Sequence, residues 1–380
     1  MSDVPEGPVG YVVEPCRIFI SDTHVSGGIG LDPDPGKFPY EWCTRTDMAR
    51  LVAFLKWVAS RGEVQELVLL GDVFDNWTFP VDMKPPTLDW IISSDHAKPF
   101  VNAVNAVAEV MPVIYMPGNH DITMTPQILS VWMPKVVFGG PGTEDSFFAS
   151  SRLRGEHGHA HALFCSGDPA HDEGLPLGYF ISRLASTADR DTGGHNITRQ
   201  EIVRDILDAV EKDDLGRGVL DAICSRAGLC DDTVIAMPDD IWNGTTLTVG
   251  DVGHLYAGLF TQWEKRHGVV AAVLAITAEL NELEACAMPM FARGGTNAVI
   301  MGHTHRAMAH EHAIPFLGTS AYVNAGCWSN NTPTATWVEQ VKDEEDGRKR
   351  TSLKVMGCSG VDDDGNLLGI SQVFPTVVAK

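Results

Sequence analysis

The chain lacks a long apolar run: its longest, Val269 to Ala278, falls well short of the roughly 20 helical residues a bilayer span needs, so no transmembrane segment is expected. It also lacks a basic excess. Lys and Arg number 28 against 50 Asp and Glu, a net charge of −22. Affinity for a nucleic-acid backbone comes from clustered Lys and Arg, so no nucleic-acid partner is expected. Eight cysteines are scattered without a CxxC pair; Cys224 and Cys230 are the closest, as a loop disulfide or as buried free thiols. The first residues, Met1 to Glu6, lack a basic segment followed by an apolar core. No signal peptide is expected, and a cytoplasmic, reducing location is the simplest reading. No repeat or low-complexity tract appears.

What the chain does have is apolar mass and five polar clusters. At 380 residues and 44% hydrophobic content it can bury a full core, as one large or two ordinary domains. Acidic runs such as Asp343 to Asp346 and Asp362 to Asp364 read as solvated turns. The clusters are Asp22-Thr23-His24, Gly71-Asp72-Val73-Phe74-Asp75 extended by Asn76-Trp77, Gly118-Asn119-His120-Asp121, Glu156-His157-Gly158-His159, and Gly302-His303-Thr304-His305. Each alone arises by chance in many chains, but their setting does not. Arg17 to Ile20, Glu66 to Leu70, Val113 to Met116 and Ala298 to Met301 are short apolar runs that precede four of them. Such runs read as buried strands, which would gather the polar groups at the carboxyl edge of one sheet, where open α/β sheets bind ligands. The nitrogen and oxygen donors suffice for two divalent metals, and such a pair can clamp a phosphate and make hydroxide at neutral pH. A metal-dependent phosphoesterase is the first reading.

The blocks DxH, GDxxD, GNHD, HGH and GHTH, in this order, resemble the calcineurin-like metallophosphoesterase superfamily over roughly residues 15–165 and 295–330. The resemblance implies that Asp22, His24 and His305 hold one metal, that Asn119, His157 and His303 hold the other, and that Asp72 bridges them. Imidazole and carboxylate donors suit Mn, the first choice, or Fe, Zn, Co or Ni, better than Ca or Mg. A hydroxide between the ions would attack phosphorus in line. By the same resemblance His120 would face the leaving oxygen as proton donor, with a structural histidine as the bland reading, and Asp121 could fix its tautomer. His157, His159 and His161 alternate, so on an extended strand all three would point one way; the family's Gly after the ligand favours His157. His171-Asp172 is a further candidate or a loop pair, and His195 or His254 would complete the site if a ligand were missing.

The implied fold is α/β, a four-layer sandwich of two β-sheets flanked by helices, with core parts at 1–171 and 294–380 and a mostly helical insertion, the lid, at 172–293. Thr46-Asp47 opens a capped amphipathic helix through Val58, and a second helix runs from about Pro99 to Val110. In the insertion, Thr198-Arg199-Gln200-Glu201 spells a capping box before Ile202 to Val210, and helices are expected near 250–266 and 268–286. Ala321 to Trp328 looks like the family's strand behind the GHTH loop. Strands at Thr334 to Lys354 and Val361 to Phe374 would complete the second sheet. Asn76-Trp77 and Asp121 depart from the protein Ser/Thr phosphatases. Trp77, the insertion and Arg306 look more like UDP-2,3-diacylglucosamine pyrophosphohydrolase-like enzymes, though those often place Arg where His120 stands and have a shorter lid. The expected function is hydrolysis of phosphodiesters or phosphomonoesters of a small or amphiphilic substrate, with Asn76 and Arg306 as substrate contacts. The alternatives are a pyrophosphohydrolase of a nucleotide-sugar or lipid precursor, and a non-catalytic binding scaffold. A nuclease is disfavoured by charge.

Overall fold

The structure, a computed structural model, describes residues 15–139, 148–150, 152–166, 175–193, 214–238, 246–280, 282–345 and 348–380. Apolar runs at the start of the chain become parallel strands because helices and a second sheet cover both of their faces, which removes the need for polar alternation. β1 (Cys16–Ile20), β2 (Val64–Leu70), β3 (Val113–Met116) and β4 (Val137–Phe138) pair in that order, all parallel. Helix Arg45–Ser60 connects the first two. It starts two residues earlier than expected because Thr44, not Thr46, is the cap: its hydroxyl accepts from Asp47 N, and the Asp47 carboxylate accepts from Thr44 N. Helix Lys98–Ala108 precedes β3.

β5 (Phe148–Ser150) and β6 (Leu153–Gly155) begin a second sheet. Between them and its next strand, the described residues hold helices Leu177–Thr192, Leu215–Ala227, Val249–Leu255, Leu259–His267, Val269–Glu279 and Glu284–Ala292, with a ladder of β7 (Val234–Ile235) and β8 (Leu247–Thr248). Where one helix was expected near 250–266 there are two, because Gly258 takes a left-handed φ of 71° between them. The first five helices share an apolar cluster of their own that also takes in Trp77, Val81, Leu163 and Phe164. The capping-box segment from Thr198, together with His171, Asp172 and His195, lies outside the described residues. No helix among the described residues is long and apolar enough to cross a membrane.

The second sheet resumes with β9 (Ala298–Met301), β10 (Met308–Ile314) and β11 (Gly318–Asn324), giving the order β10-β11-β9-β6-β5. The chain then returns to the first sheet, contrary to the expectation that its last strands complete the second. β12 (Ala335–Glu345) lies antiparallel to β1, with Val338 opposite Phe19, and β13 (Arg348–Cys358) lies antiparallel to β12. That register adds Val338, Leu353 and Val355 to the apolar seam between the sheets, which a place in the smaller sheet would not. Beyond them β14 (Gly360–Val361) and β15 (Leu367–Leu368) form a small ladder, while β16 (Ser371–Gln372) and β17 (Val377–Ala379) pair with β13.

The layers follow from which face each residue presents. Phe19, Val68, Leu70, Ile114 and Met116 of the first sheet meet Leu153, Ala298, Ile300, Ala321 and Val323 of the second. Residues of opposite parity in the first sheet, Ile18, Ile20, Leu67, Leu69 and Val113, pack on helices Arg45–Ser60 and Lys98–Ala108. Val299, Met301 and Tyr322 pack on helix Glu284–Ala292. The result is helix, sheet, sheet, helix, the α/β sandwich that was expected.

Candidate metal centre

The expected ligands sit just past strand ends: Asp22 and His24 after β1, Asp72 after β2, Asn119 after β3, His157 after β6, and His303 and His305 after β9. Their backbones are strained. Of nine non-glycine described residues with positive φ, five are Asp22 (56°), His24 (47°), Asp72 (50°), His303 (69°) and His305 (58°). A left-handed residue with a Cβ costs roughly 1–2 kcal/mol, so such clustering needs over-determined surroundings, as at functional sites. The hydrogen bonds supply them. Asp22 N donates to Gly71 O (3.2 Å), His24 N to Asp72 O (3.0 Å), and His303 N to Asp22 Oδ2 (2.9 Å). Two motif glycines are required by crowding: a Cβ on Gly118 would lie 2.2 Å from Asp72 Oδ1, and one on Gly302 would lie 1.9 Å from Ser21 Oγ.

These loops bring seven expected ligands together in two groups. In the first, His24 Nε2 faces His305 Nε2 at 2.9 Å, and His305 Nε2 is 3.3 Å from Asp22 Oδ1. In the second, donor atoms of Asp72, His157 and His303 lie within 4.8 Å of one another, and Asn119 Oδ1 is 3.2 Å from His157 Nε2. Asp72 Oδ2 stands between the groups, 3.8 Å from His24 Nε2 and 3.1 Å from His157 Nε2.

The donor set fits divalent cations by its proton bookkeeping. A carboxylate and a carbonyl only accept. His24 Nδ1 therefore donates to Asp75 Oδ2 (2.9 Å) and His157 Nδ1 to Leu70 O (3.0 Å), which leaves a lone pair on each Nε2. His157 Nε2 faces the oxygens of Asp72 and Asn119, and a bare lone pair there would repel them, so the position calls for a positive charge, a proton or a metal ion. Burial lowers the pKa of His157, but Asp72 and Asp22 outweigh it and push the ring up to about 9. Asp72 shows the same field from the other side: burial raises its carboxyl, yet His157 and His120 hold it well below the usual carboxylate range. A cation with a preference for nitrogen and oxygen donors satisfies all of these groups at once.

His120 is beside the first group, with Asp75 Oδ1 3.0 Å from its Nδ1. Burial lowers its pKa, but Asp75 and Asp72 outweigh burial and raise it. Trp77 lies 4.7 Å from the His120 ring and Trp42 5.2 Å. Asp121, expected to set the His120 tautomer, does not touch that ring in the way foreseen. Its carboxylate accepts from Gly118 N (2.6 Å), Val73 N (2.9 Å), Phe74 N (3.3 Å) and the Tyr115 hydroxyl, so it ties the GNHD loop to the GDVFD loop. Burial and the charge of Asp72 raise its carboxyl to about 6.

The three alternating histidines do not lie on an extended strand. Gly158 takes a φ of 110° and starts a 3-10 turn at His159–His161, which sends the side chains apart. Only His157 reaches the centre. His161 pairs with Glu156 (2.6 Å), and burial and then His157 drive the His159 pKa down to about 3, a neutral packed ring. Asn76 is buried, Arg306 is exposed next to His305, and His254 is exposed at a helix end and in none of the donor groups. Asp75 has no role in the ligand set implied by the motifs, and its place three residues after Asp72 is the signal in the sequence for one. Trp42, packed against His24, His120 and His305, carried none.

Among solved structures, the chain is similar to Vps29 of Chaetomium thermophilum, at 10% identity over 96% of this chain and 98% of that one, with a TM-score of 0.30. It is also similar to GAP50, the anchor in the inner membrane complex of Plasmodium, at 9% identity over 94% and 88% of the two chains, with a TM-score of 0.29. No curated protein matches the sequence. Across residues 18–189, the stretch that holds Asp22, His24, Asp72, Asn119, His120 and His157, the chain matches the family model of the calcineurin-like phosphoesterase domain.

Proposed function

We propose that this protein is a dinuclear metal-dependent hydrolase of phosphate monoesters or diesters of small or amphiphilic substrates. The observation that carries the reading is the meeting of two donor groups across Asp72 Oδ2, beside a histidine whose Nδ1 lies 3.0 Å from Asp75 Oδ1. Asp22, His24 and His305 hold one divalent ion, Asn119, His157 and His303 the other, and Asp72 serves both. When bound, such a pair neutralises phosphoryl oxygens and acidifies water at neutral pH. Manganese is our first choice; Fe, Zn, Co and Ni share the donor preference.

The side chains of this chain do the rest. Asp75 keeps the proton on His24 Nδ1 and Leu70 O keeps it on His157 Nδ1, so each Nε2 presents a lone pair. Asp75 also holds His120, which donates its proton to the departing oxygen. The helices of residues 172–293 act as the lid that selects the substrate, and Trp77, packed on both His120 and Tyr179, joins that segment to the centre. A second reading, a pyrophosphohydrolase of a nucleotide-sugar or lipid precursor, rests on the sequence resemblance at Trp77 and at Arg306, which is exposed directly after His305.

The test is turnover by manganese-reconstituted protein on p-nitrophenyl phosphate, bis-p-nitrophenyl phosphate, nucleoside diphosphate conjugates and cyclic nucleotides. The expected result is metal-dependent hydrolysis of at least one class. His120→Gln should keep both ions yet slow the reaction by roughly 10²–10⁴, most for poor leaving groups. A protein that binds two ions and hydrolyses none of the four classes overturns the reading.

A further inference from the structure

We infer that Arg183 is a positioning residue, through which the helical segment sets the geometry of His120; the inference rests on His120 being the proton donor. Arg183 is fully buried, and its hydrogen-bond partners among the described residues are backbone carbonyls and one hydroxyl, with no carboxylate among them. A buried guanidinium needs other acceptors. It finds most of them in one arch of backbone, residues 79–83. Nε donates to Phe79 O (2.5 Å), Nη2 to Pro80 O (2.8 Å) and Met83 O (2.6 Å), and Nη1 to Ala236 O (3.0 Å) and the Tyr179 hydroxyl (2.7 Å). The same helix adds Thr187, whose hydroxyl accepts from Val81 N (2.9 Å), and Ala236 N donates to Val81 O (2.7 Å).

The arch is the direct continuation of the site. Trp77 N (2.8 Å) and Thr78 N (3.1 Å) donate to Asp75 Oδ1, the same oxygen that lies 3.0 Å from His120 Nδ1. The Trp77 ring lies 4.7 Å from His120 on one side and edge-on to Tyr179, at 5.7 Å, on the other. A chain of direct contacts thus runs from Arg183 through residues 77–83 to Asp75 and His120. The helical segment shapes proton donation as well as substrate choice. A staple that merely joined two parts of the fold would not distinguish one leaving group from another; a device that aims a proton donor does, because activated esters do not need the proton.

The experiment uses the full chain loaded with manganese, as wild type, Arg183→Met, Tyr179→Phe and His120→Gln. It measures ions per chain, kcat on p-nitrophenyl and alkyl phosphate esters, and hydrogen exchange of residues 77–83. Misplacing a catalytic group by about 1 Å costs up to about 10²-fold. Arg183→Met should therefore keep both ions, change p-nitrophenyl turnover little, lower alkyl turnover by about 10- to 100-fold, and speed exchange of the Trp77 and Thr78 amides. Tyr179→Phe, which removes one hydroxyl, should show the same pattern more weakly and carries the test if Arg183→Met does not fold. Equal losses on both esters in these variants, with His120→Gln still selective, overturn the inference alone. His120→Gln without leaving-group dependence overturns the proton-donor reading, and the inference with it.

Discussion

Replacing Asp75 by Asn changes one atom and should separate the ligands from the residue that orients them. Asp75 Oδ1 accepts from Trp77 N and Thr78 N, at 2.8 and 3.1 Å, and Oδ2 accepts from His24 Nδ1 at 2.9 Å. An Asn side chain can face this set in two ways. With its amide group toward the backbone it strands two buried N–H donors, at about 1–3 kcal/mol each. With its carbonyl there, it presents the amide hydrogens to His24 alone, and the ring must move its proton to Nε2 to accept one. The second arrangement is cheaper, and it removes the lone pair that faces His305 and Asp22. Loss of such an orienting partner typically weakens metal affinity 10- to 100-fold, about 1.4–2.7 kcal/mol. The expected outcome is selective weakening of the ion at Asp22, His24 and His305, with the ion at Asn119, His157 and His303 retained. Metal content measured across graded free manganese, alongside steady-state rates, checks it. If Asp75→Asn holds both ions within about twofold of wild-type affinity, the tautomer argument is wrong.

Three further outcomes are expected. Asp72→Asn should empty both ion positions and abolish turnover, whereas His24→Ala should weaken one, because Asp72 Oδ2 stands between the two groups; ion counts per chain decide it. Gly302→Ala places a Cβ 1.9 Å from Ser21 Oγ and 2.6 Å from Asp22 Oδ2, so it should lower stability by about 1–3 kcal/mol or more and disturb Asp22; a thermal melt that is unshifted counts against that crowding. All eight cysteines are free and only Cys230 is exposed. Burial pushes Cys224 and Cys358 up to about 11 and Cys16, Cys286 and Cys327 up to about 12, so one thiol should react with a thiol reagent in the native protein and eight in denaturant. A count of six in denaturant would mean that a disulfide such as Cys224–Cys230 exists.

The local order of apolar run, glycine and polar cluster is a property of short windows, and it was enough to place Asp22, His24, Asp72, Asn119, His303 and His305 just past strand ends, though not in the one sheet expected: the strand before His303 and His305 lies in the second sheet. Burial on both faces makes a parallel strand apolar throughout, and the ligand loop follows it directly in the chain. Other features depended on contacts far apart in sequence. β12 returned to the first sheet because Val338 fits opposite Phe19 in the seam, a pairing across more than 300 residues. His159 and His161 left the site because Gly158 turned the backbone, which alternation of residue types does not reveal. Asp75 rather than Asp121 took His120 because of where the two loops meet: Asp121 bonds Val73 N across 48 positions, and His24 bonds Asp75 across 51. Side-chain direction in a loop is set by such hydrogen bonds and by the left-handed backbone they enforce, and both come into being only when the strands are side by side.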